Sequence, residues 1–344
     1  MISHPVVLAI LVIDLCSVLL LLGAATVATQ VLTRWTPASA SKAQLLLESR
    51  FETATLLTRW GTSCFAGATL LMLVGISSVL PAAIPGAMCG TGVLEAAGDL
   101  APRALVLRAI ALFALAAVHV VERVNRPYPL SPLVLPLAKA ILVALPLVLL
   151  AITEGMRALT RIDASTPASC CALVYERAGA GLTSELATGS MAGMLAGASG
   201  CVVLGCGLLL TRRRAAHPRP VALLGAGAAL VYVLAGTTAL TRWLAPYHYG
   251  VLAHQCPWCL FLWEHRAVGF PLFASLAWTA YEGLSAVLAM ELAARHPEVA
   301  QAAARRTRSA GARLVLSVAG FSILAVTPAL HYRLTHGVWM HGAP

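Results

Sequence analysis

The chain has 344 residues, of which 59% are hydrophobic and 11% are charged, and its mean hydropathy is +0.82. Soluble domains carry roughly 25% charged residues, so this composition excludes a soluble enzyme, and its apolar content excludes a disordered chain. The formal charge of +10 is carried by 24 basic residues of which only Lys42 and Lys139 are lysines. In so apolar a chain that excess orients membrane spans, and no nucleic-acid partner is expected.

Eight apolar runs are long enough to cross about 30 Å of hydrocarbon: 6–28, 62–82, 104–121, 131–152, 190–210, 220–241, 266–290 and 312–331. They lack period-2 alternation, so each is read as a helix. The expected fold is an all-α, polytopic membrane helix bundle. Segment 39–60 has apolar residues at helical spacing with Arg50, Glu48 and Arg59 between them, and it reads as an interfacial helix leading into the second span. The spans sort into three parts. Residues 1–130 hold three N-terminal spans with the 39–60 helix. Residues 131–290 hold a bundle of four helices. Residues 291–344 hold a basic cytoplasmic loop, the last span and a short outer tail.

Loop arginines and lysines set the orientation. One set of loops carries fifteen of them, including Arg212, Arg213 and Arg214; the opposite set, with the C-terminal tail, carries eight, including Arg103 and Arg108. The bias predicts both termini outside. In a bacterial inner membrane, the expected location, the outer side is the oxidising periplasm.

Taken in chain order, Asp14 is the first ionisable residue inside a span, followed by His119, Lys139 and Glu282. Intramembrane ionisable groups are costly and invite a functional reading. Asp14 and Glu282 are candidates for a proton relay. Lys139 lies near the end of its span and can snorkel. Cys16, Cys64, Cys201 and Cys206 also fall within spans and read as small packed hydrophobes.

The other five cysteines fall in loops assigned to the outer side. Cys89 lies in the turn-rich segment Pro85-Gly86-Ala-Met-Cys89-Gly90-Thr-Gly92 and is a candidate for a structural or exchange disulfide with Cys170 or Cys171. Those two are adjacent, in Ser169-Cys170-Cys171-Ala-Leu-Val-Tyr175. A disulfide between neighbours closes a strained ring, so the two are expected to face separate partners or a soft metal. Segment 254–265, HQCPWCLFLWEH, carries Cys256-Pro257-Trp258-Cys259 with apolar residues after it. The pair is expected at the N-terminal end of the seventh span, where the helix dipole favours a thiolate. A thiolate is both the attacking species in disulfide exchange and the form that binds metal. His254 and His265 flank the pair as candidate proton partners.

A cysteine loop reading Cys171-x-x-Val-Tyr175, two spans, then CPWCL at 256–260 opening a further span resembles the bacterial vitamin K epoxide reductase family. The resemblance covers about 131–290, and four spans lie outside it. It implies a membrane thiol oxidoreductase that passes electrons from periplasmic thiol proteins to a quinone. Cys256 and Cys259 would be the quinone-proximal pair, and Cys170 or Cys171 the shuttle thiol. Trp258 and Tyr175 are the candidate quinone contacts. Two alternatives stand beside this reading. One is binding or transport of copper or a similar soft metal by Cys256, Cys259, His254 and Cys171. The other is a non-catalytic membrane subunit with structural disulfides.

Overall fold

The structure, a computed structural model, describes residues 3–340 except 37–38, 40, 129–130, 164, 166, 169, 213–217 and 253; the side chains of 170–183 and 185 also lie outside the description. The long helices are α1 (Pro5–Arg34), α2 (Lys42–Val74), α4 (Leu100–Asn125), α5 (Val134–Thr160), α6 (Cys170–Thr211), α7 (Pro218–Ala239), α9 (Gly269–Arg295) and α10 (Ala300–His336). The short ones are α3 (Gly90–Ala97) and α8 (Ala245–Tyr249). Eight helical segments are long and apolar enough to cross a membrane; they contain six of the runs read from the sequence, and the other two, 131–152 and 266–290, each begin three residues before their helix. The protein is a multi-pass, all-α membrane protein, with no strand among the described residues.

The chain forms two compact units. The first comprises Met1–Pro85, Val93–Thr166 and Leu292–Ala303 and holds α1, α2, α4 and α5. Its buried residues explain the helices. In α1 they include Val7, Ile10, Asp14, Ser17, Leu21, Ala24 and Ala28, spaced alternately three and four apart. In α2 the same spacing runs through Gln44, Leu47, Phe51, Ala54, Thr58, Gly61, Phe65 and Ala68. A seam with a mean period of 3.5 keeps one face of a helix against its neighbour. The segment read as an interfacial helix leading into the second span is continuous with that span from Lys42 onward, because its apolar residues continue the α2 seam without a break. Close approach along it needs a glycine: a Cβ on Gly61 would lie 2.8 Å from Leu21, and the Gly61 carbonyl accepts from the Ser17 hydroxyl at 2.8 Å.

Asp14 and Arg108 both lie on buried faces of this unit, 1% and 0% exposed. They form an ion pair, and the Arg108 guanidinium also donates to Thr69 at 3.2 Å and lies 5.2 Å from the centre of the Phe65 ring. Arg108, counted with the outer loop although it lies within the 104–121 run, is thus a membrane-embedded charge. On a second face Glu122 pairs with Arg59 and lies 3.4 Å from His119. Lys139 is exposed on α5.

The second unit comprises Gly86–Gly92, Pro167–Glu291 and Ala304–Pro344. Grouping 131–290 as one bundle therefore differs from the observed division: α5 packs on α1 and α4 in the first unit. The core here is built from Val203, Tyr232, Leu272, Leu276, Leu314 and Phe321. Small residues bring the backbones together, and a Cβ on Gly207 would lie 2.9 Å from the Gly311 carbonyl. Glu282 is fully buried, 2.7 Å from Arg306 and 3.3 Å from Arg313, and accepts from the Trp278 indole at 3.1 Å. Arg306, expected in a cytoplasmic loop, and Arg313, counted with that loop although it opens the 312–331 run, are both α10 residues that neutralise a membrane acid.

Each unit runs in the same order: two long helices, a loop region, then two more. The second helix of each pair ends in a π-helical turn, Gly75–Val79 after α2 and Leu240–Leu244 after α7.

Removing one partner of a buried ion pair leaves an uncompensated charge and costs about 3–5 kcal/mol. The Arg108→Met variant is expected to lower the thermal unfolding midpoint in detergent by that equivalent. Adding Asp14→Leu should restore most of the loss, and an Arg108→Met protein as stable as wild type would show that the pair contributes nothing.

Candidate functional site: a buried three-sulfur cluster

The second unit brings together three cysteine sulfurs. Cys89 and Cys256 are separated by 167 residues, yet their Sγ atoms lie 3.5 Å apart. Cys259 completes the group, with all three sulfurs within 4.8 Å of one another. The three residues are 2%, 3% and 7% exposed and form a small apolar cluster with Tyr249, Trp258 and Leu262 around them.

Two loops build the cluster. The first is Gly86–Cys89 together with Gly90–Gly92, the opening residues of α3, and its glycines are dictated by contacts. Gly86 has φ +77°, and a Cβ there would lie 2.4 Å from the Ala168 carbonyl oxygen. A Cβ on Gly90 would lie 2.7 Å from the Trp258 ring. Only a bare backbone admits the indole, so Gly90 lets Trp258 lie over the loop that carries Cys89. The next residue, Thr91, places its hydroxyl 3.0 Å from the Cys256 sulfur.

The second loop carries the CPWC segment, whose placement differs from the expectation. Cys256 is extended, with φ −74° and ψ 116°, and caps a short 3-10 turn over Pro257–Phe261 with proline at its first position. Leu262 is extended again, a second short turn covers Trp263–His265, and Arg266 and Ala267 are left-handed with φ of 60° and 50°. α9 starts only at Gly269. The pair is therefore not the first turn of the seventh span, and the dipole of that helix does not act on it at close range. Two consecutive left-handed residues break the chain direction between the turn and the helix.

What stabilises a thiolate here is local hydrogen bonding. Cys256 is lowered to about 3 by donation from the Cys259 thiol first, then from Cys89, with Thr91 and the Cys259 backbone N–H adding to it against the opposing effect of burial. Cys259 is raised, because its proton is held by Cys256 and by Cys89, and because burial disfavours its charge. The pair shares one negative charge, seated on Cys256. The backbone at Cys256 is anchored as well, since the Tyr249 hydroxyl donates to its carbonyl. His254 and His265 meet the Tyr249 ring edge-on, with centroids 4.6 and 4.7 Å away. Burial lowers both histidines, and His265 lowers His254 further, so the neutral imidazole is favoured at each.

The cluster unites Cys256, Cys259 and Trp258, as the sequence indicated, but its third sulfur is Cys89. The expected partners of Cys89, Cys170 and Cys171, begin α6, and their side chains, with that of Tyr175, lie outside the described residues. His254 is beside Tyr249, and among the described residues it is not part of the group whose ligand atoms converge. Asp14 and Glu282 are engaged by Arg108 and by Arg306 and Arg313, as structural ion pairs. Thr91 and Tyr249 carry no local sequence signal for their roles; Gly90 and Gly92 around Thr91 mark only a tight turn. The chain matches no protein-family model, no characterised protein and no solved structure.

A thiolate seated on Cys256 predicts its own titration. Its ultraviolet absorbance, taken as wild type minus Cys256→Ser, should stay flat between about pH 8 and pH 5 and vanish only toward about 3. Thr91→Val removes one donor and should move that loss to higher pH. A signal that titrates near about 8.5, the ordinary thiol value, would contradict the arrangement.

Proposed function

We propose that the protein is a membrane thiol–disulfide oxidoreductase in which Cys256 and Cys259 cycle between dithiol and disulfide. The observation that carries this reading is the convergence of three buried cysteine sulfurs, all within 4.8 Å of one another. Exchange needs a thiolate positioned to attack a disulfide sulfur and a leaving sulfur held as its neighbour. The CPWC segment, its Trp258 cover and the resemblance to the vitamin K epoxide reductase family support the same chemistry.

In the proposed cycle a reduced thiol protein attacks the Cys256–Cys259 disulfide. One S–S bond breaks as a mixed disulfide forms, and a second substrate thiolate resolves it. The substrate leaves oxidised and the pair is left as a dithiol. A quinone then takes two electrons and two protons from the dithiol and re-forms the disulfide. Cys89 is the exchange thiol: its attack on Cys256 forms a Cys89–Cys256 bond and releases Cys259, so the number of S–S bonds is unchanged. His254 and His265, favoured as neutral imidazoles beside the Tyr249 ring, are the proton acceptors of this cycle. We assign the reaction to the periplasmic face of a bacterial inner membrane, in keeping with the loop charges.

The test is redox trapping. The protein in native membranes is alkylated with a mass-tagged maleimide after incubation with excess short-chain quinone or with excess quinol. Cys256 and Cys259 are expected to be oxidised in the first case and reduced in the second, with the response abolished in Cys259→Ser. A redox state indifferent to the quinone supply would overturn the reading.

A further inference from the structure

The reduced cluster has a capacity that disulfide exchange does not use. Three sulfurs converge from two loops on a water-poor site, and the Cys89–Cys256 separation is 3.5 Å with the whole group inside 4.8 Å. A metal–thiolate bond of about 2.3 Å places the three sulfurs of a trigonal site about 4 Å apart. A disulfide requires sulfurs about 2.05 Å apart. The reduced arrangement is thus already spaced for a cation at its centre, whereas it must contract to form any S–S bond.

The donor set selects the ion. Thiolate ligands favour soft cations, copper(I) above all. Structural zinc takes four protein ligands, and among the described residues no histidine or carboxylate joins the three sulfurs. A three-coordinate d10 ion needs no fourth. We propose that Cys89, Cys256 and Cys259 bind one copper(I) ion in a trigonal thiolate site. The surroundings fit this role. The Thr91 hydroxyl, 3.0 Å from the Cys256 sulfur, supplies a hydrogen bond to a ligand from outside the first shell. Tyr249 fixes the Cys256 backbone, and Trp258, seated on Gly90, covers the loop that brings in Cys89. Binding moves no electron: copper remains monovalent, the thiol protons it displaces pass to solvent, and three Cu–S bonds form. Oxidation of Cys256 and Cys259 to a disulfide would remove two of the three ligands, so the copper-loaded and disulfide states exclude each other. The inference concerns the reduced trio and does not depend on the acceptor in the redox cycle.

The experiment uses the full chain in detergent, reduced and anaerobic, titrated with copper(I) held by a chromogenic chelator. The expected result is one copper(I) withdrawn per chain. That equivalent should be lost in Cys89→Ser and in Cys256→Ser and retained in Cys16→Ser and Cys201→Ser. X-ray absorption of the loaded wild type should show three sulfurs at about 2.3 Å and no nitrogen. Because a variant can lose binding by misfolding, wild-type protein is also tagged with maleimide: copper should protect three thiols at once, and protein pre-oxidised at Cys256 and Cys259 should withdraw none. Substoichiometric binding, a nitrogen-rich shell, or loss on Cys171→Ser with retention in Cys89→Ser would each overturn the proposal. A protein that binds copper while its thiols ignore quinone would keep this inference and overturn the redox cycle; quinone-responsive thiols that bind no copper would do the reverse.

Discussion

A charge inside this protein has little water to turn to, so each one depends on a donor or a counter-ion supplied by a neighbouring helix or loop. That requirement explains most of the specific contacts. Asp14 needs Arg108, and Arg108 in turn uses Thr69 and the face of Phe65. Glu282 draws two arginines and an indole. A charge on Cys256 obeys the same rule with weaker groups: two thiols, a hydroxyl and a backbone N–H share the burden that an arginine bears elsewhere. A neighbouring cation would have stabilised the thiolate more strongly, but it would also have lowered its nucleophilicity and opposed a bound cation.

The broad architecture could be read from the residues because it follows from one-dimensional quantities. Span length and the absence of period-2 alternation are local, and all eight runs became helices. The suspicion attached to Asp14 and Glu282 was sound physics with a different outcome, since their partners lie far away in the chain. Arg108 is 94 residues from Asp14, and nothing near either residue announces the other. The long reach of α2 was obscured for a related reason. Glu48, Arg50 and Arg59 interrupt its apolar face when it is read as a run of letters, but the seam through Leu47, Phe51, Ala54 and Thr58 passes between them.

The cluster shows the same limit. CPWC is a local signal and was visible. That Cys89 supplies the third sulfur depends on folding the Gly86–Gly92 turn beside Trp258, a pairing across 167 residues that spacing does not encode. The glycines were legible as a shaped turn, although what they were shaped around was not. The start of α9 was misplaced for a local reason of another kind. A proline after Cys256 is as suitable for a short 3-10 turn as for a long helix, and the left-handed pair at Arg266 and Ala267 carries no glycine to mark it.

The number of sulfurs has a consequence of its own. With two thiols a site is either fully reduced or fully oxidised, and one electron pair exhausts it. With three, every disulfide leaves one sulfur over. An internal bond between any two would therefore face a third nucleophile within 4.8 Å, and the bond could migrate within the cluster without any molecule entering or leaving. In the proposed cycle a buried trio would therefore be a store with a built-in reader, the spare sulfur passing on the oxidation that the other two hold.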